Sequence, residues 1–229
     1  MEQDECHLEK SLEEIENAEK EIDKVFAELY EAREWVDLAF DLDEVFSRFI
    51  ENMESLACVF EAIERSDKRN YFLIGTLWSG VLGAYEGFVH DLFERLLKKE
   101  AYLEQAVKNV PNLSEKDKSY LRLNCKKVID KAELETQLRR ATLHEPNQIA
   151  RLVNALFGIS VPTVCKAEVE RALSIRNAYI HNNGFNQGRN LVKLDLSSLK
   201  EFHYVIDYLI SCFVHELKRE IDCYLQKSK

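Results

Sequence analysis

Apolar residues recur at steps of three and four along most of this chain, a period that predicts helices almost throughout. Over residues 5–34 the seam is Leu8, Leu12, Ile15, Ala18, Ile22, Val25, Phe26 and Leu29, set between Glu/Lys-rich positions such as Glu13, Glu14, Lys20 and Lys24. So narrow a stripe suits a coiled coil or one arm of a helical hairpin. Asp41-Leu42-Asp43 offers a place to turn. A broader stripe then resumes over 43–65 with Val45, Phe46, Phe49, Ile50, Met53, Leu56, Ala57, Phe60 and Ile63. The expectation for residues 1–66 is an acidic amphipathic α-hairpin that packs on the body, residues 67–229, or on a partner.

Ser66-Asp67-Lys68-Arg69-Asn70 breaks the pattern. Residues 71–99 follow as the most apolar helix, and they hold Gly75, Gly80, Gly83 and Gly87. An interior Gly costs about 0.5–1 kcal/mol against Ala, so four in one helix need a reason. Gly80, Gly83, Ala84 and Gly87 fall on one side, a smooth strip on which the motif helix described below or a second subunit can approach closely. Ser114 with Asp117 opens a helix expected to reach about Lys131. Pro146-Asn147 starts another through Phe157, stopped by Gly158. Residues 164–181 form the next, and Ser198 with Glu201 opens a last long helix over 198–227. Leu191-Val192-Lys193-Leu194 is the one candidate strand, and no repeat of 20–50 residues is visible.

Composition agrees with helices: the 229 residues include only 7 Gly and 3 Pro. No apolar run reaches the ~18 residues of a membrane span, and the acidic Met1-Glu2-Gln3-Asp4-Glu5 lacks the apolar stretch of a secretory signal. The six cysteines are scattered without a Cys-x-x-Cys pair, which suits reduced thiols in a cytoplasmic protein. Cys6-His7 alone is a poor metal site, so no metal or cofactor is expected. P-loop, His-Glu-x-x-His and Gly-x-Ser-x-Gly patterns are absent, which counts against NTPases, zinc proteases and α/β hydrolases.

The net charge of −10 is uneven. Residues 1–66 hold 21 acids and 6 bases, while the remaining 163 hold 20 acids and 25 bases. The front repels a polyanion and the body tolerates one. Within 114–140 eight bases, among them Lys126, Lys127, Arg139 and Arg140, face five acids. That stretch is either a candidate polyanion patch or a solvated face.

The sharpest chemical signal is Arg176-Asn177-Ala178-Tyr179-Ile180-His181-Asn182-Asn183-Gly184. Arg is permanently charged and suits phosphate oxygens. His gains or loses a proton near neutral pH. Together they are a minimal set for cutting a phosphodiester. Positions five apart on a helix lie about 140° apart, so the two share a face only if the helix ends or tightens between them. Asn182-Asn183-Gly184 is a helix stop, which puts His181 on the last turn. The structural alternative is a buried His capping a helix end and an Arg in a surface ion pair.

Arg-Asn-x-x-x-His followed by Asn-x-Gly, at a helix end in an all-α domain with a long aromatic-rich helix upstream, resembles the HEPN superfamily. It looks closest to uncharacterised bacterial HEPN-like nucleases of the RiboL-PSP type. Arg176 and His181 match the family's Arg-x4-6-His signature, Asn177 matches the polar residue after the Arg, and the likeness covers roughly residues 70–227. The resemblance implies an all-α, antiparallel helical bundle, here with the N-terminal acidic hairpin added. It also implies a homodimer lining one cleft with two motif copies. The implied activity is metal-independent endoribonuclease action as a toxin or antiviral defence effector, with RNA as substrate and an antitoxin or defence-system protein as partner.

In that role His181 moves a proton during 2′-OH attack, Arg176 stabilises phosphoryl oxygens and Asn177 orients one of them. The products are a 2′,3′-cyclic phosphate and a 5′-OH. An acid on the first family helix supports the site; Glu86 is the candidate, with Asp91 close by. Tyr179 either stacks on a base or packs. The competing reading is a non-catalytic HEPN module that dimerises, binds a partner protein or binds a nucleotide.

Overall fold

The structure is a computed structural model that describes residues 2–65, 70–123 and 129–227, with side chains from residue 13 to 226 within those ranges. Its elements are α1 (Glu2–Glu64), α2 (Tyr71–Lys98), α3 (Glu100–Asn109), a 3-10 turn (Val110–Asn112), α4 (Glu115–Tyr120), α5 (Lys131–Arg140), α6 (Pro146–Phe157), α7 (Lys166–His181) and α8 (Leu196–Lys227). The fold is an all-α helical bundle. Leu191–Leu194 forms no strand; a single bridge joins Phe185 to Leu191.

The N-terminal region is one unbroken 63-residue helix, not a hairpin. The chain holds no Gly before Gly75 and no Pro before Pro111, so nothing at Asp41-Leu42-Asp43 breaks it. Leu42 is fully buried, while its two acidic neighbours reach opposite helices: Asp41 takes Arg95 of α2 at 2.8 Å and Asp43 takes Lys218 of α8 at 2.6 Å. The acids that suggested a turn are therefore straps around a core leucine. The burial boundary falls near Trp35, where α1 enters the core, rather than at residue 66.

Paired contacts fix the helix directions. Along α1 and α2 the pairs Glu34–Lys99, Asp41–Arg95, Arg48–Asp91 and Leu56–Gly80 run in opposite order, so the two are antiparallel. Trp35 stacks on Tyr224 at 4.7 Å and Lys200 pairs with Glu64, which makes α8 antiparallel to α1 as well. Trp78 stacks on Phe202 and Phe88 meets Phe213, so α8 runs parallel to α2. α2 is the centre of this arrangement, packing on α1, α3, α5, α7 and α8. It is long and apolar enough to cross a bilayer, although no such run was expected; 14 of its residues are buried inside the bundle, as in a core helix.

Local signals predict the other elements unevenly. Ser114 caps α4 by accepting from the Asp117 amide, but α4 stops at Tyr120 rather than near Lys131, and Arg122 adopts φ 54° just beyond it. A separate helix, α5, starts there under an Asp130 cap. α6 spans Pro146–Phe157 and ends on left-handed Gly158, as its sequence predicts. α8 starts at Leu196, two residues before Ser198, and the capping acceptor is Asp195, whose carboxylate takes the Ser198 amide at 2.7 Å. The glycine strip is mostly unused. Leu56 of α1 approaches Gly80, whereas Gly83 and Gly87 face open space.

Candidate active site

The motif helix α7 presents Val169, Ala172, Ile175, Ala178 and Tyr179 to the core, at three steps of three and one of one. Its entry is pinned by Asn147, whose side chain donates to the Val164 carbonyl and accepts from the Val164 amide, both at 2.8 Å. Its exit is the stop read from Asn182-Asn183-Gly184: Asn183 and Gly184 take positive φ, and the Gly184 amide turns back to Ala178 O at 2.9 Å. The docking point on α2 is Gly75 rather than the glycine strip. An added Cβ there would stand 2.3 Å from the Tyr179 ring, so only glycine lets the ring lie flat against the α2 backbone.

Tyr179 is therefore a core residue, 5% exposed, whose hydroxyl donates to the Val192 carbonyl and ties down the loop after the motif. Stacking on a base is excluded for a ring in that position. Lys126 and Lys127 lie outside the described residues. Arg139 and Arg140 are exposed at the end of α5, and Arg139 stands 3.8 Å from Glu94.

Two of the expected catalytic residues come together. Arg176, with a quarter of its side chain exposed, holds its guanidinium 3.8 Å from Glu86 Oε1. Asp91 is occupied elsewhere, by Arg48 at 3.0 Å. His181 and Asn177 are exposed. α7 stays helical through His181, so Arg176 and His181 keep the ~140° separation of an unbroken helix and do not share a face. The structural alternative for His181 fails in the described residues: its ring is solvent-facing and takes no hydrogen bond or ion pair, and the helix end is closed by backbone.

A residue that sequence reasoning missed completes the Glu86 site. His144 Nδ1 lies 3.9 Å from the same Glu86 oxygen that faces Arg176. At 3.8 and 3.9 Å these are ion-pair separations, too long for hydrogen bonds, and Glu86 Oε1 and His144 Nδ1 are both buried without a hydrogen-bond partner among the described residues. Burial pushes the His144 pKa down; Glu86 opposes that, and Arg176 reinforces it. Tyr120, whose hydroxyl donates to Thr142 O, is pushed up to about 12 by burial, then by Glu145 and Glu86. His144 sits in a loop 58 positions from Glu86, and no spacing rule could have linked them.

Beside this cluster a cavity of about 320 Å³ opens between α2, α6, α7 and α8. Trp78, Val169, Ala172, Phe202 and Leu209 make its walls, His144 one edge, and Glu168, Arg171 and Glu201 its polar lining. No group of three metal-ligating side chains occurs among the described residues, and Cys6 and His7 lie outside the described side chains.

Comparisons with family models, curated proteins and solved structures give no match.

Proposed function

We propose that this protein is a metal-independent endoribonuclease of HEPN type, cutting RNA at Arg176 and His181. The observation that carries the reading is the state of His181: an imidazole on the last turn of a well-anchored helix, exposed and free of any structural partner among the described residues. A helix-end histidine kept for structure caps or packs; this one does neither. Arg176 supplies a permanent positive charge five positions earlier, held by Glu86 at a distance that orients the guanidinium without a hydrogen bond.

The chemistry balances with no added group. His181 takes the 2′-OH proton, O2′ attacks phosphorus in line, and the bond from phosphorus to O5′ breaks. The leaving oxygen takes a proton from a protonated imidazole, and Arg176 stabilises charge on the non-bridging oxygens. One helix offers one His, turned away from its own Arg. A second copy of the chain sets its His181 opposite this Arg176, and this copy's His181 opposite the other Arg176, so the active form is a homodimer with two composite sites. Glu86 and His144 position Arg176, and Asn177 is exposed for a phosphoryl oxygen.

The second reading is a non-catalytic module that binds a nucleotide or a partner protein. The commitment of Arg176 to Glu86 and the adjacent 320 Å³ cavity favour it. Incubation of RNA with the purified protein in EDTA separates the two. The nuclease reading expects 2′,3′-cyclic phosphate and 5′-OH ends, abolished by His181→Ala and by Arg176→Ala. Undiminished cutting by both variants would overturn the site.

A further inference from the structure

The bundle begins at Trp35, yet α1 extends well before it. Ile15, Ile22, Val25, Phe26, Leu29 and Tyr30 are all more than half exposed. This is a contiguous apolar face on a helix that no other described element covers, and such faces mark interaction sites. Its order is that of a heptad repeat. Ile15, Ile22 and Leu29 stand seven apart, and Ala18, Val25 and Ala32 follow each by three, the spacing of a and d positions. Between residues 13 and 34 the helix runs roughly 33 Å, about three heptads.

Charge decides what covers it. Residues 13–34 hold nine acids and three bases. All three bases are paired within the helix, Lys20 with Glu16 at 3.9 Å, Lys24 with Glu28 at 3.9 Å and Arg33 with Asp37 at 3.7 Å. Glu14, Glu19 and Glu21 flank the seam at g and e positions with no basic partner among the described residues. A second copy lying parallel sets Glu14 against the other Glu19 and Glu28 against the other Arg33; one lying antiparallel sets the edge of Glu14, Glu21 and Glu28 against the same edge of its copy. With nine acids against three bases, the segment's net negative charge disfavours its own copy in either direction. The small side chains of Ala18 and Ala32 leave room for large residues opposite.

We propose that residues 13–34 of α1 are a docking helix for a partner protein's amphipathic helix, one with large apolar residues on its seam and Lys or Arg on both flanks. The surface is separate from the Arg176 cluster and does not rest on the RNA reading.

The test uses the whole protein and three labelled synthetic helices of about 28 residues, long enough to fold on contact. One has a Leu seam and Lys flanks, the second a Leu seam and Glu flanks, the third a Ser seam and Lys flanks. Fluorescence anisotropy reads their affinities. The proposal expects the first to bind at least about tenfold tighter than either other. It also expects Ile22→Asp with Leu29→Asp to abolish that preference while far-UV circular dichroism and thermal midpoint of the bundle stay unchanged, since both sites precede the core. Equal binding of the Ser-seam peptide would reduce the face to non-specific electrostatics and overturn the proposal. So would tighter binding of the Glu-flanked peptide. A protein dimer that the double substitution converts to monomer in sedimentation would assign the face to a second copy instead.

Discussion

Glu86 and Arg176, 90 positions apart in the chain, meet with 3.8 Å between carboxylate and guanidinium. α2 and α7 are antiparallel, and the Gly75–Tyr179 contact sets how closely they lie. His144 lies against the same carboxylate oxygen, so two basic side chains converge on one buried atom. The arrangement holds the motif arginine at a fixed place on the helix face and leaves the motif histidine free on the opposite side.

The charge network makes opposite demands on His144. Arg176 lowers its pKa and Glu86 raises it, both acting on a ring already depressed by burial. Titration of the His144 ring protons by NMR is expected to give a higher pKa in Arg176→Gln and a lower one in Glu86→Gln. Movement in the same direction in both variants would contradict the shared-carboxylate geometry.

The same histidine shapes acid stability. Its folded-state pKa lies below the ordinary value of 6.5. Between the two values the unfolded chain binds the extra proton, so stability rises with pH across that window and falls as pH drops through about 6.5 toward the depressed value. His144→Gln is expected to flatten part of the loss in thermal midpoint between about pH 7 and pH 5. An unchanged slope would place the acid sensitivity elsewhere.

Glycines in α2 divide by what faces them. Gly75→Ala puts a Cβ 2.3 Å from the Tyr179 ring and forces α7 outward; a loss of about 1–3 kcal/mol in urea unfolding is expected. Gly83→Ala and Gly87→Ala meet nothing within 4 Å, and each is expected to stabilise by about 0.5–1 kcal/mol. Destabilisation by these two would show that another surface packs on the strip.

The position of the burial boundary is open to truncation. A chain starting at Glu31 keeps Trp35, Leu38, Leu42, Val45, Phe49 and Met53 and is expected to melt cooperatively. A chain starting at residue 67 loses that buried wall of α2 and α8 and is expected to bind ANS and lose its near-UV signal. Equal melting of the two would separate α1 from the core.

Much of the bundle was legible because the signals were local. The apolar run of α2, the Pro146 start and Gly158 stop of α6, the Ser114 cap and the Asn-Asn-Gly stop of α7 each depend on residues a few positions apart. Where a residue's role is set by a distant partner, the sequence misled or was silent. Asp41 and Asp43 look like turn formers, but their partners are Arg95 and Lys218. Tyr179 looks available beside the motif, but Gly75 makes a slot for it, 104 positions earlier. Glu86 is singled out by the resemblance alone, as an acid on the long apolar helix, and the structure puts it beside Arg176. His144 had no signal, since its only relation to the site is spatial.

The central claim is that Arg176 and His181 act together across two copies of the chain, and subunit mixing measures that most directly. RNA cleavage in EDTA is followed for the wild type, for Arg176→Ala and His181→Ala alone, and for the two variants refolded together. Each variant alone is expected to lose at least about a hundredfold. The mixture is expected to regain about a quarter of wild-type activity, because half of its dimers carry one intact composite site of two. Wild-type rates in either single variant, or a mixture as inactive as its components, would contradict the account.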